Sequence, residues 1–345
     1  MQTFRKLSPR LLFKFTGKQA IFIMAYVSVI AVVYDLGDFD WITIPWLPIS
    51  LIGTAVAFYI GFKNNSAYDR MWEARKIWGA IVNDSRSWGI SIKHYINNVF
   101  ADVPASDEEL DQIKKKLIYR HIAWLYALRS QLLVTTSWEH AAQAGHLGRT
   151  AQQYQKQFGV GLVDDEVSKV EHNTFLPDDE YKSLINFKNT ATQIIDKQAE
   201  DLESLRKLKL IDDFRHIDLQ SLLKHFYTHQ GKLERIKKFP LPRQYSGSSI
   251  IFVGIFVFLL PFGMVSEFAK IGPYGVWLSI PFTTLVGWVY LVMEQIGDYS
   301  ENPFQGMAHD IPMLSLCRTI EIDLKEMIGE EEIPEPIKAK NGTLM

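Results

Sequence analysis

The sequence has little cysteine, because Cys317 is the only one among 345 residues. A single thiol forms no intramolecular disulfide and leaves no cysteine cluster for a metal ion. Neither positive nor negative charge is in large excess: the formal net charge is −2, and no long basic run is present. We therefore expect no binding to nucleic acid. A phosphate-binding glycine loop and a nucleophile elbow are missing too, so we expect neither an enzyme nor a bound cofactor.

Strand-like alternation of apolar and polar residues is missing, and so are internal repeats. The sequence has instead four long apolar runs near its two ends: residues 20–36, 41–62, 249–265 and 274–296. A helix needs about 20 apolar residues to cross about 30 Å of hydrocarbon. The runs therefore predict four transmembrane helices, the fourth broken by Pro281. The alternative is a set of buried helices in a large soluble protein. The mean hydropathy of −0.03 averages these runs with a highly charged middle.

Basic residues lie on one side of the four runs. They occur before the first run, after the second and before the third, whereas the turn at residues 35–40 has none. Because lysine and arginine are enriched on the cytoplasmic side of membranes, we expect both termini and the middle to be cytoplasmic. The predicted parts are a cytoplasmic N-terminal arm (1–19), transmembrane helices 1 and 2 (20–62), a cytosolic helical domain (63–243), transmembrane helices 3 and 4 (244–296), and a cytosolic C-terminal loop, helix and tail (297–345). Within the cytosolic domain, Ser106 and the acidic residues after it predict the start of a helix.

The second apolar run has two different faces. At about 100° per residue, one face continues into the polar sequence beyond the run. Its residues are Leu47, Leu51, Thr54, Phe58, Phe62, Asn65, Asp69 and Trp72. The opposite face is aliphatic, with Ile49, Ile52, Val56 and Ile60. This pattern predicts a helix that lines a pore with its aromatic face and meets lipid or a neighbouring helix with its aliphatic face. The alternative is that the two aromatic residues are ordinary packing groups. A pore with one lining helix per chain requires a symmetric oligomer.

A few other polar residues leave alternatives open. Glu294, near the end of the fourth run, either faces protein or water within the membrane or already lies at the cytoplasmic interface. His225 and His229 are four residues apart on a predicted helix and could present two metal ligands on one face. No third ligand lies near them in sequence, so we expect no metal site.

Two long motifs carry a family resemblance. Residues 61–79 read GFKNNSAYDRMWEARKIWG and closely resemble the signature that follows the second membrane helix in bacterial bestrophin homologues. Residues 302–330, from NPF to DIPMLSLCRTIEIDLKEMIGE, resemble the same family's stretch after the last membrane helix. The order of the membrane spans matches as well, so the resemblance covers nearly the whole chain.

The resemblance implies an all-α membrane protein with a large cytosolic helical region, assembled as a homopentamer around one axial pore. Five copies of the second helix surround a narrow hydrophobic neck in this family. The three neck positions fall on Thr54, Phe58 and Phe62, and Asn65 and Asp69 line the inner pore or vestibule. The first neck position is usually a larger aliphatic residue, so Thr54 implies a wider or wetter outer neck.

The resemblance also implies a second constriction at the cytosolic exit. It falls near residues 214–217, where Arg215 is the closest match, beside Phe214 and Ile217, although family members more often have an apolar residue there. Animal bestrophins bind calcium with an acidic cluster after the Asn-Pro-Phe motif. Here the loop from Asn302 to Asp310 has a single carboxylate, too few for an ion that takes about six to eight oxygen ligands. We therefore expect a vestigial calcium loop, no bound metal and a channel that opens without calcium.

Together these features predict a bestrophin-like channel of a bacterial inner membrane that passes small monovalent ions, with chloride and other anions favoured. A sodium channel of the same architecture is the alternative within the family. A membrane-anchored scaffold or sensor without conductance is the alternative from another class of protein. The expected partners are other copies of the chain, the lipid bilayer and monovalent ions.

Overall fold

The computed structural model of the chain describes residues 1–3, 9–37, 40–162, 172–184 and 186–345. Regular structure in these ranges is helical, apart from two isolated bridges that both involve Thr343. The α-helices are Pro9–Gly37 (α1), Trp46–Tyr95 (α2), Asp107–Leu133 (α3), Gly145–Phe158 (α4), Asp178–Leu184 (α5), Thr190–Lys207 (α6), Asp213–Lys238 (α7), Arg243–Ala269 (α8), Gly275–Ser300 (α9) and Met313–Met327 (α10). The predicted all-α class is therefore confirmed. Residues 4–8 of the predicted N-terminal arm lie outside the described residues.

Helical stretches long and apolar enough to cross a membrane occur four times in the described ranges. They are Thr16–Gly37, Trp46–Tyr95, Asp213–Ala269 and Gly275–Ser300. Each stretch contains most or all of one predicted apolar run. The second stretch is a single helix of 50 residues that continues far past the apolar sequence, as the unbroken helical pattern after Phe62 predicts.

The fourth span differs from its prediction at Pro281. The expectation of a break there is wrong, because α9 continues through this residue to Ser300. A proline removes one backbone hydrogen bond, and membrane helices tolerate that loss where nearby polar side chains compensate.

The helices group into two compact units. The first, here called the apolar unit, comprises Phe4–Arg70 and Pro240–Asn302. Its largest buried cluster contains Ile49, Val56 and Ile60 from α2 and Val253, Phe256 and Leu260 from α8. Helices α1 and α8 each lie along α9. The aliphatic face of α2 thus packs on a neighbouring helix of the same chain, which is one of the two environments that its pattern predicts.

The second unit, here called the polar unit, comprises Met1–Thr3, Met71–Phe239 and Pro303–Met345. Large aromatic side chains fill its core, among them Trp78, Trp88, Trp124, Tyr126 and Phe226. His121 lies among these rings and shares a hydrogen bond of 2.9 Å with Ser85 Oγ. Burial lowers the pKa of His121 to about 3, so its ring is neutral at physiological pH.

Arg120 joins three helices of the polar unit. Its Nε and Nη2 atoms donate to the two carboxylate oxygens of Glu180 at 2.7 and 2.8 Å, and its Nη1 atom donates to Asp201. Because the guanidinium is almost fully buried, this bidentate geometry satisfies a charge that would otherwise be costly to bury. The contact holds α3 against α5 and α6.

The start of α3 is a capping box. Ser106 Oγ accepts a hydrogen bond from Glu109 N at 3.2 Å, and Glu109 Oε2 accepts one from Ser106 N at 2.8 Å. The pair satisfies two backbone donors that the first helical turn leaves open.

We predict that Ser106→Ala weakens the first turn of α3 by about 1 kcal/mol, because the alanine side chain accepts no hydrogen bond. The amides of residues 107–110 should then exchange with solvent about fivefold faster, as measured by hydrogen exchange with mass spectrometry on the intact protein. Ser106→Asp is the control, since aspartate caps equally well. Equal protection in the alanine variant and the wild type would show that the cap contributes nothing.

Candidate functional site

The aromatic face of α2 is exposed along its whole apolar length. Phe58 and Phe62 are 66% and 72% exposed, while the aliphatic face on the other side of the helix is buried in the apolar unit. Thr54 and Asn65 lie on the same side, and together with Ala57, Gly61 and Tyr290 these side chains line an open groove of about 660 Å³. The structure therefore brings the three predicted neck positions together on one solvent-facing surface.

Tyr290 of α9 borders this groove and was not predicted from the sequence. Its hydroxyl donates to the carbonyl oxygen of Gly53 at 3.0 Å, which holds α9 against α2. A Cβ atom on Gly53 would lie 2.7 Å from the ring of Phe256, so glycine is needed for the close approach of α8. A glycine inside a membrane helix is the sequence signal for such an approach, but it does not identify which residue lies opposite.

Asn65 and Asp69 continue the exposed face one and two helical turns beyond Phe62. Both side chains are exposed, and Asn65 Nδ2 donates to Asp69 Oδ2 at 3.4 Å. The face therefore changes from aromatic to polar and acidic within two turns of one helix.

Lys63 follows Phe62 directly but points into the protein. Its ammonium group forms an ion pair with Glu294 of α9, and its Nζ atom lies 3.9 Å from Asp298 Oδ1. The hydroxyl of Ser249 on α8 donates to the second oxygen of Glu294. Lys63 and Glu294 are both almost fully buried, so Glu294 faces protein rather than the membrane interface. Buried charges of this kind persist only when they are paired and hydrogen-bonded.

The structure separates the three residues of the predicted cytosolic constriction. Phe214 is 87% exposed and Ile217 is exposed as well. Arg215 is instead engaged by its own chain: its Nη1 atom donates to the carbonyl oxygen of Tyr95 at 2.9 Å, and its guanidinium lies over the Phe100 ring at 5.3 Å. Phe214 and Ile217 are thus the side chains at this end of α7 that are exposed and could line a constriction.

The loop from Asn302 to Asp310 uses its single acidic residue internally. Asp310 is buried, and its carboxylate accepts backbone hydrogen bonds from Phe304 at 3.0 Å, Gly306 at 2.8 Å and Ile311 at 2.7 Å. Phe304 has a φ of 72°, a left-handed conformation that is costly for a residue other than glycine and needs such support. Asn302 is buried too, and its Nδ2 atom donates to Glu301 Oε1 at 3.1 Å.

No metal centre is evident in the part of the chain that the structure describes. No group of three histidine, cysteine, aspartate or glutamate residues there is arranged to hold an ion. His225 and His229 both approach one carboxylate oxygen of Asp84, at 3.7 and 2.8 Å. They therefore serve as partners of this aspartate.

We predict that Lys63→Met lowers the free energy of unfolding by roughly 3–5 kcal/mol, because it leaves the Glu294 carboxylate buried without a cation. The midpoint of thermal unfolding in detergent should fall accordingly. The double variant Lys63→Met/Glu294→Met should regain most of that loss, since neither charge is then buried alone. Lys76→Met, at an exposed position of the same helix, is the matched control. If the Lys63 and Lys76 variants melted alike, the ion pair would not stabilise the unit.

The membrane-length helices and the exposed aromatic face of α2 define an all-helical membrane protein. A family model described as Bacterial/Fungal Bestrophin protein matches residues 10–326, and the chain belongs to the bestrophin family. The resemblance in the motifs at 61–79 and 302–330 is thereby confirmed.

Individual relatives agree with this assignment. The chain is 26% identical over 296 residues to a voltage-dependent anion channel-forming protein of Mesorhizobium japonicum, covering 86% of this chain and 78% of that protein. It is 25% identical over 333 residues to the voltage-dependent anion channel-forming protein YneE of Escherichia coli, covering 96% of this chain and 90% of that protein. Its fold is similar to that of a bacterial bestrophin homologue from Klebsiella pneumoniae, with a TM-score of 0.72, 19% identity, and coverage of 91% of this chain and 98% of that chain.

Proposed function

We propose that the protein is an ion channel of a bacterial inner membrane in which five copies of the chain surround one axial pore lined by α2. The observation that carries this proposal is the contrast between the two faces of α2. Its aliphatic face is buried against α8, whereas Phe58 and Phe62 are left exposed on the other side. A chain that leaves such a face uncovered within a membrane-length helix needs either lipid or copies of itself to complete it.

The polar continuation of the exposed face favours copies over lipid. Asn65 and Asp69 extend it without a break beyond the apolar run, whereas a face that met only lipid would need no polar continuation on the same line of the helix. One helix cannot enclose a pore, so the face requires a ring of identical helices. Ala57 and Gly61 border the aromatic residues, and such small side chains allow a neighbouring helix to approach closely.

The residues of the exposed face divide into a neck and an inner pore. Thr54, Phe58 and Phe62 form the neck, and an apolar ring of this kind conducts when it is wide enough to stay wet and closes by dewetting when it narrows. Asn65 and Asp69 lie at its inner end. At the cytosolic exit we place Phe214 and Ile217, because Arg215 is held by Tyr95 and Phe100.

The permeant species is a small monovalent anion, with chloride the reference ion. Two relatives that match most of this chain are named as voltage-dependent anion channel-forming proteins. Sodium remains the second candidate, and the exposed Asp69 carboxylate favours it. Both of these relatives are named for channel formation, so the proposed activity is transport rather than catalysis.

Calcium is not needed to open the proposed channel. Asp310, the one carboxylate between Asn302 and Asp310, already accepts three backbone hydrogen bonds. These donors satisfy Asp310 in the way that a cation otherwise would. Ion flux should therefore be the same with calcium and with an excess of chelator.

The assembly predicted here can be tested by its mass. The protein in mild detergent should give the mass of a pentamer by light scattering or native mass spectrometry. A stable monomer would exclude the proposed pore, because one chain supplies only one lining helix.

We predict that Phe58→Ala and Phe62→Ala each raise chloride flux in liposomes by roughly threefold or more, because a wider, less apolar neck stays wetted. Phe22→Ala is the matched control, since Phe22 is equally exposed but lies on α1. A scaffold or sensor would show no conductance and no effect of any of the three changes.

The same liposomes distinguish the two candidate ions. In a sodium chloride gradient, the reversal potential should lie towards the chloride equilibrium potential. A reversal potential that follows sodium would overturn the anion preference and leave the pore assignment intact.

A further inference from the structure

The pore face of α2 has one charged residue close to the neck. Between Trp41 and Asp69 the sequence contains only two formally charged side chains, Lys63 and Asp69. Lys63 follows Phe62 directly, but its ammonium group is buried in the ion pair with Glu294. Its positive charge is therefore removed from the face that Phe58 and Phe62 occupy, and Asp69 is the charged residue of that face nearest to the neck.

The carboxylate of Asp69 is not neutralised within its own chain. The contact that it makes is with the uncharged amide of Asn65, at 3.4 Å. No basic side chain among the described residues forms an ion pair with it. Because the side chain is exposed, the charge acts on ions in the adjacent water.

Because of its position, Asp69 exerts its electrostatic field mainly at one end of the neck. Seven residues after Phe62, it lies on the same helical face about 10 Å further along the axis. That distance is about one screening length in 0.1 M salt. On the other side of the neck, the residues of α2 from Thr54 back to Trp46 are uncharged, a length of roughly 12 Å. The fixed charge therefore acts on the inner mouth of the neck and hardly on the outer mouth.

We propose that Asp69 determines how strictly the channel selects anions over cations and in which direction anions flow more easily. This inference rests on the proposed function. In a pentamer, five carboxylates surround the inner mouth, where they raise the concentration of monovalent cations and lower that of anions. Anions then enter the neck less often from the inner side than from the outer side. The channel selects anions less strictly than an uncharged neck would, and its anion current rectifies.

The test is Asp69→Asn, which keeps the size of the side chain and its hydrogen bonding but removes the charge. Reversal potentials and currents at equal positive and negative voltages are measured in planar bilayers with 0.1 M salt. The chloride-to-sodium permeability ratio should rise about tenfold, because five unit charges acting across about 10 Å of water at this ionic strength change the local concentration of each ion about threefold, in opposite directions. Rectification should disappear. Asp69→Lys should raise the ratio further and reverse the direction of rectification.

Two controls separate electrostatics from altered structure. In 1 M salt the screening length is about 3 Å, so the wild type and both variants should converge, and wild-type rectification should fade without any substitution. Glu108→Gln removes an exposed carboxylate from α3 and should change neither quantity. An effect of Asp69→Asn that was equally large in 0.1 M and 1 M salt would overturn the inference, because it would report a changed pore shape.

The remaining outcomes distinguish this inference from the proposed function. A wild-type protein that conducts, combined with an unchanged permeability ratio and unchanged rectification in Asp69→Asn at 0.1 M salt, would overturn the inference alone. A wild-type protein that conducts no ions would overturn the proposed function and the inference with it.

Discussion

Helix α2 has one aliphatic and one aromatic face, and within its own chain it buries the aliphatic one. Ile49, Val56 and Ile60 pack into the cluster with α8, which fixes the rotation of the helix about its axis. That rotation determines which side chains remain outside. The groove, the exposed phenylalanines and the acidic end of the face all follow from the packing of the aliphatic face against α8.

The basic side chains near this face bind groups of their own chain. Lys63 would place a cation next to Phe62 if it pointed outward, but Glu294 and Ser249 hold it inside. Arg215 is likewise kept by Tyr95 and Phe100. In both places a basic residue lies next to a predicted constriction in the sequence. Residues distant in sequence bind its side chain, so its charge does not line the constriction.

The sequence is sufficient for features that depend on local pattern. Helical periodicity identified both faces of α2, and Ser106 with Glu109 identified the start of α3, because capping and amphipathicity act over a few residues. The partners of Lys63 and Arg215 could not be predicted, since Glu294 and Tyr95 are far from them in sequence. Tyr290 was missed for the same reason. Pro281 was misjudged because a proline is treated locally as a break, whereas the cost of the lost hydrogen bond depends on the surrounding groups.

The hydrogen bonds of Asp310 in the loop after α9 have a consequence for how a cell could regulate the protein. Asp310 accepts hydrogen bonds from three backbone amides of its own loop, and these contacts support the shape of the segment. On the proposed function, this loop would give the channel no calcium sensor. On the proposed function, the cell would adjust the current by how many copies of the protein it makes and by its membrane voltage, and the protein would behave as a standing leak.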